Sequence, residues 1–355
     1  MIDDFSNQFV AGFLAGRAAE LAGTPCTPLL ERFPDTEARY RPVPRLKWRE
    51  NLAARVQDLA SCVAAESPAL FGSQIAWSRA AFASRGVPEV DLDRSLRVLR
   101  EVVLEQLTPE DAPVVGEYFR AGEAALRSPR SPESTTLHAG TPEGELGARY
   151  LLALLEGDRV AASRLVLDAV RDGLAVARVY THVLMPVQRE LGRLWQACEL
   201  NVAEEHFATG TTAMVMAQLQ AVAPHRPRDG RTLVVACAEG DLHDLGARML
   251  ADFFEMAGWR VIPLGASVPA SEVALAASCF HADVVALSGT LPVHLDALRD
   301  AVRLVREQAP SARLITGGAV FHAAPGAWTV LGADGYAADI SEALALADRL
   351  APPRP

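Results

Sequence analysis

The last third of the chain alternates between two hydrophobic periods, and this limits its fold more than any other feature. Short apolar runs, TLVVACA at 232–238, then WRVIPLG, ADVVALSG and RLITGG, recur every 25–30 residues or so, and DGYAAD completes the series. Amphipathic stretches fill the intervals at 245–257, 269–279, 292–308 and near 319–331, with a last one at 340–350. Strands apolar on both faces, separated by helices, predict a parallel sheet covered on both sides. Five strands suit the doubly wound, flavodoxin-like order 2-1-3-4-5, a Rossmann-like domain over 229–355. Ligands of such sheets bind beyond the carboxyl ends of the strands, so the loops after strands one, three and four are the expected site.

Upstream no strand alternation is visible. Residues 1–127 read as an all-helical domain, with helices near 2–22, 45–65, 67–84, 91–107 and 109–126. Pro113 is expected to delay the start of the last of these. Residues 128–143, rich in Ser, Thr, Pro and Gly, read as a linker. Four segments follow, 144–156, 158–172, 175–198 and 202–222, joined by very short connections, which predicts an antiparallel four-helix bundle over 144–226. Asn201 and Glu204 have capping-box spacing.

Composition narrows the function classes. Across 355 residues the net charge is -10, which argues against nucleic acid as a main partner. No apolar run reaches the roughly 18–20 residues of a membrane span. The opening MIDDFSNQFVAGFLAGR carries acids where a signal peptide carries basic residues, so a cytoplasmic protein is expected. Five widely spaced cysteines, Cys26, Cys62, Cys198, Cys237 and Cys279, form no CxxC or Cys/His ligand pattern and are expected to be buried free thiols.

The informative residues lie in the three loops. EGDLHDLG after strand one contains Asp241, His243 and Gly246; LSGT after strand three contains Ser288 and Thr290; ITGG after strand four ends in Gly317 and Gly318. Forty-one residues separate Gly246 from Ser288, and twenty-six separate Thr290 from Gly317. This resembles the cobalamin-binding signature DxHxxG…SxL…GG of the methionine synthase and mutase families, with Thr290 in place of the usual Leu. A neutral imidazole is a good cobalt ligand when its other nitrogen has an acceptor, and Asp241 is positioned to be that acceptor. The resemblance implies that His243 binds cobalt in place of the cofactor's own benzimidazole. It further implies that the displaced nucleotide tail enters a groove lined by Ser288, where Gly317 and Gly318 let the backbone come close. No GxGxxG follows strand one, which disfavours a nucleotide or flavin site.

In the expected bundle, LWQACELNVAEEH places Trp195 nine residues before the pair Glu205 and His206. This W-x9-EH pattern resembles that of the cobalamin photoreceptors controlling carotenoid genes. There a bundle caps the upper face of the corrin, the Trp packs over the 5′-deoxyadenosyl group, and the Glu and His contact it. Those relatives have a His directly after the Trp; here it is Gln196, so the resemblance does not extend to a bis-histidine photoproduct.

The first domain lacks the basic balance of a DNA reader, with 16 basic against 18 acidic residues through Arg130. An all-helical domain, then a cap, then a cobalamin domain resembles the photocobilins, which pair cobalamin with biliverdin. A bilin's propionates suit arginine and its rings suit aromatic packing. The pairs Trp48 with Arg49, Trp77 with Arg79, and Tyr118 with Arg120 are the candidates.

Together these resemblances imply a light sensor using adenosylcobalamin, with biliverdin as second chromophore. It would signal as a light-dependent homo-oligomer to an unidentified downstream partner, without being an enzyme. The alternative is a corrinoid carrier for methyl transfer. A mutase subunit would need a substrate barrel, and no (β/α)8 pattern is present.

Overall fold

The computed structural model describes residues 2–129, 135, 137 and 140–353; much of the expected linker, 128–143, lies outside the described residues. Strands β1 (Thr232–Cys237), β2 (Arg260–Gly265), β3 (Val284–Ser288), β4 (Arg313–Gly317) and β5 (Gly335–Tyr336) form one parallel sheet in the order β2-β1-β3-β4-β5. Every residue of β1 is buried, as its central place requires. The register pairs Cys237 with Ser288 and Ser288 with Gly317. The three loops singled out in the sequence therefore leave the sheet at one level and side by side.

The helices Leu245–Met256 and Ile340–Leu350 cover one face of the sheet, with Phe254 and Trp259 packed edge to face at 5.2 Å. Ala270–Cys279 and Leu295–Gln308 cover the other, and there the core continues without a break into the N-terminal helices. The Pro44–Ala64 helix makes that junction. Its last carbonyls are orphaned by geometry, and Arg299 donates to Ala64 O at 2.9 Å.

The bundle consists of Pro142–Leu155, Arg159–Arg171, a third helix running from Val176 to Gln196, and Val202–Gln220. Asn201 Oδ1 accepts from the Ala203 and Glu204 amides at 2.9 and 3.0 Å, and Glu204 accepts from the Asn201 amide at 2.8 Å. This capping box satisfies donors that the helix start leaves free, worth about 1 kcal/mol. Tyr180 ties the bundle to the Leu245–Met256 helix over the sheet, donating to Asp252 at 2.6 Å.

Several sequence expectations need correction. The stretch 2–22 is two helices, Ile2–Gly16 and Ala18–Arg32, broken at Arg17. The second contains Pro25 and Pro28. Proline normally ends a helix, but here burial of Leu21, Ala22, Leu29 and Leu30 outweighs the local cost of about 3 kcal/mol each. The third bundle helix has a π turn at Tyr180–Leu184, just before Pro186. Pro186 has no N–H to donate, and the wider turn relieves its ring from the preceding carbonyls. Finally, Cys198 and Cys279 are exposed, not buried. Among the described residues no helix is long and apolar enough to cross a membrane.

Candidate functional site

The loop after β1 carries the lower half of the site. Asp241 is fully buried, and its Oδ1 lies 2.8 Å from His243 Nδ1 and 3.1 Å from the His243 amide. A carboxylate only accepts, so His243 Nδ1 donates and its Nε2 keeps a free lone pair. The His243 side chain is 65% exposed. The hydrogen bond that His243 donates to Asp241 raises the His243 pKa above its usual 6.5, against the opposing effect of burial. Burial pushes the Asp241 carboxyl upward, but the side-chain and amide hydrogen bonds from His243, with the His294 ring close by, win and hold it well below the usual carboxylate range.

His294, itself buried, faces the second oxygen of Asp241 at 3.3 Å. Its Nδ1 also receives the Leu291 amide at 3.2 Å, so a neutral ring has no proton there for Asp241, and Oδ2 is left without a hydrogen-bond donor. Cys237, at the end of β1, is no rival nucleophile or ligand: burial pushes its thiol up to about 12.

Above this loop, Trp195, Glu205 and His206 line a cavity of about 440 Å³ together with Leu242, His243 and Gly246. Glu205 is held by Thr209 Oγ1 at 2.6 Å and faces His206 Nδ1 at 2.7 Å. Leu242 is 76% exposed and Val202 56% exposed, so two large apolar side chains look into this space.

A second cavity, about 170 Å³, opens along the carboxyl ends of the strands and is lined by Gly246, Ser288, Gly317 and Gly318, with apolar walls from Val235, Leu250 and Ile315. Gly246 borders both cavities. A Cβ on Gly246 would meet nothing within 4 Å, so packing of the protein itself does not demand glycine there. The opposite holds for Gly318. Its φ is +100°, and a Cβ would lie 2.3 Å from Gly289 O. The crossing of two loops thus requires glycine here independently of any ligand, while Gly318 also lines the cavity. Thr290 lines neither cavity.

Gln196 turns away from the upper cavity. Its Nε2 donates to Trp77 O at 3.4 Å, and it lines a groove of about 920 Å³ on the N-terminal region, between the Pro68–Ser84 and Asp111–Arg127 helices. Of the three candidate bilin pairs, only Trp77 and Arg79 border this groove. Trp48 is core, edge to face with Tyr40 at 5.4 Å, while Arg49 points to solvent. Tyr118 is also core, and Arg120 pairs with Glu117 at 3.5 Å on the surface. These two pairs are corrected: one helix face buries the aromatic and the adjacent face exposes the arginine, so neither pair converges on a cavity. His294 and Leu242 were missed because a lone histidine and a lone leucine carry no spacing signal.

A doubly wound sheet with a four-helix cap above its first loop is the architecture of corrinoid proteins. Two family models, each a B12 binding domain, match residues 231–345 and 146–220. The chain is 35% identical over 134 residues to the HTH-type transcriptional repressor CarA of Myxococcus xanthus, covering 38% of this chain and 43% of that protein. It is 32% identical to dimethylamine corrinoid protein 3 of Methanosarcina mazei, covering 33% of this chain and 71% of the relative. The structure of the Methanosarcina barkeri monomethylamine corrinoid protein shares the fold with TM-score 0.50 at 20% identity, over 58% of this chain and 98% of that one. The chain thus spans less than half the length of CarA. It belongs to the cobalamin-binding family defined by the B12 binding domain.

Proposed function

We propose that the protein is a light-sensing regulator that holds adenosylcobalamin between His243 and the cap. The observation that carries this reading is the sharing of one cavity by His243, Trp195, Glu205 and His206, joined at Gly246 to the narrower groove along the sheet. The residues fit the group: Gly246 leaves room that the protein does not use, and exposed Leu242 and Val202 await an apolar cover. His243 holds cobalt through Nε2, and Asp241 fixes the ring and its tautomer. Ser288, Gly317 and Gly318 line the groove for the nucleotide tail. Trp195 shields the upper face, with Glu205 and His206 contacting the adenosyl group. Bound adenosylcobalamin supplies a cobalt–carbon bond that light breaks.

With an upper group bound, Trp195 would pack against it; without one, that surface would be missing, the cap would shift, and a homo-oligomer would rearrange. The protein is a signalling module, not an enzyme. Biliverdin occupies the groove beside Trp77 and Arg79 as second chromophore. The N-terminal region, with 16 basic against 18 acidic residues through Arg130, lacks the basic excess of a DNA reader, and the similarity to a transcriptional repressor makes a DNA-binding assay with this chain the check.

The second reading, a corrinoid carrier for methyl transfer, draws on the similarity to the dimethylamine corrinoid protein. The Trp195, Glu205 and His206 set favours the sensor, because a methyl group needs no such cover.

The test is absorption spectroscopy of purified protein with adenosylcobalamin and biliverdin, before and after green light. The proposal expects a light-induced change of the cobalamin bands and a far-visible bilin band. No light-induced change overturns the sensor reading; no bilin band removes only the second chromophore.

A further inference from the structure

Trp195 and Gln196 are adjacent, yet they line different spaces, the upper cavity and the N-terminal groove respectively. The point where they sit is unusual electrostatically. The Pro68–Ser84 helix and the Met185–Gln196 helix meet there with both C-terminal ends, two partial negative charges facing one another. Arg85, the residue after the first helix, stands between them. Its guanidinium donates to Ala81 O at 2.9 Å on its own helix and reaches Gln196 O at 3.5 Å on the other. Ser84 Oγ also donates to Gln196 O at 2.7 Å. The same guanidinium lies 5.5 Å over the Trp195 ring, within the range of a cation–π contact.

We infer that Arg85 is a positioning residue for Trp195, so that the N-terminal region sets how firmly the cap covers the upper ligand. The inference rests on the proposed role of Trp195. A cation bridging two helix ends is held from both sides, so it restrains the indole that it lies over. When the cap moves, the Arg85 and Ser84 contacts to Gln196 are the first to lengthen. That carries the movement into the Pro68–Ser84 helix and the groove beside Trp77. The sensor region then registers the upper ligand without touching it.

The test uses the full chain and the ratio of its affinities for adenosylcobalamin and hydroxocobalamin, titrated by absorbance. Trp195→Ala should lower the ratio most. Arg85→Ala should lower it about threefold, as expected for one exposed cation–π contact. Arg85→Lys should restore part of the loss, and Arg85→Ala should add nothing in the Trp195→Ala background. A ratio unchanged in Arg85→Ala but lowered in Trp195→Ala overturns the inference alone. Equal losses for both cobalamins in Arg85→Ala mean a merely structural role and also overturn it. An unchanged ratio in Trp195→Ala overturns the cap reading and this inference together.

Discussion

The loops of the sheet and the N-terminal helices make opposite use of their residues. In the loops, Asp241, His243, Gly246, Ser288 and Gly317 are gathered by backbone register, because parallel strands end at one level. Sequence spacing therefore translates directly into proximity. In the helices, proximity depends on which face turns inward, and neighbours in sequence part company. Trp48 is 3% exposed in the core while Arg49 faces solvent; Trp77 is 47% exposed and borders a groove with Arg79. A site on strand ends is written in intervals, whereas a site on helices is written in burial.

The sharpest break of this comparison is in the helices. Trp48→Ala should cost roughly 3–5 kcal/mol of stability, as for other buried aromatic truncations, and Trp77→Ala under about 1 kcal/mol. Urea unfolding checks both, and equal losses would erase the distinction between core and groove. Next come two glycines of the loops. Gly318→Ala should destabilise by about 3 kcal/mol, since it combines a left-handed backbone with a clash against Gly289 O. Gly246→Ala, in the first turn of a helix, should leave the cofactor-free protein as stable or up to about 1 kcal/mol more stable. It should nonetheless weaken cobalamin binding, and unaltered binding would count against a cofactor at that glycine.

The smallest effect is one of pH. The His243 pKa is raised, so its stabilising share is complete below 6.5 and fades as pH rises through the raised value. The Asp241 pKa is lowered, so its share is complete above 3.8 and fades as pH falls. The pair contributes most between these limits. Asp241→Asn should therefore lower the melting temperature of the cofactor-free protein more near pH 5 than near pH 8. The reverse order would contradict the pairing.

Strand order, helix alternation, the bundle and its capping box were legible because each has a local signature: period, connection length, or a polar pair at fixed spacing. The helix through Pro25 and Pro28 was not, since tertiary burial overrides local chemistry there. Nor was the π turn before Pro186, since a proline in a helical pattern marks a break or kink without saying that the helix continues through a wider turn. Within the site, the contact of His294 with Asp241 comes from a turn whose side chain only the fold can aim. The need for glycine at 318 was legible, but its cause was not: it lies in the backbone of Gly289, 29 residues earlier in the chain.

The central claim is that His243 binds the cobalt. Electron paramagnetic resonance of the protein carrying ¹⁵N-histidine and unlabelled cob(II)alamin tests it directly. An axial nitrogen from the protein splits each cobalt line into a doublet, and one from the cofactor's own benzimidazole splits it into a triplet. A doublet that disappears in His243→Ala is the predicted result; a triplet in the wild-type protein would contradict the account.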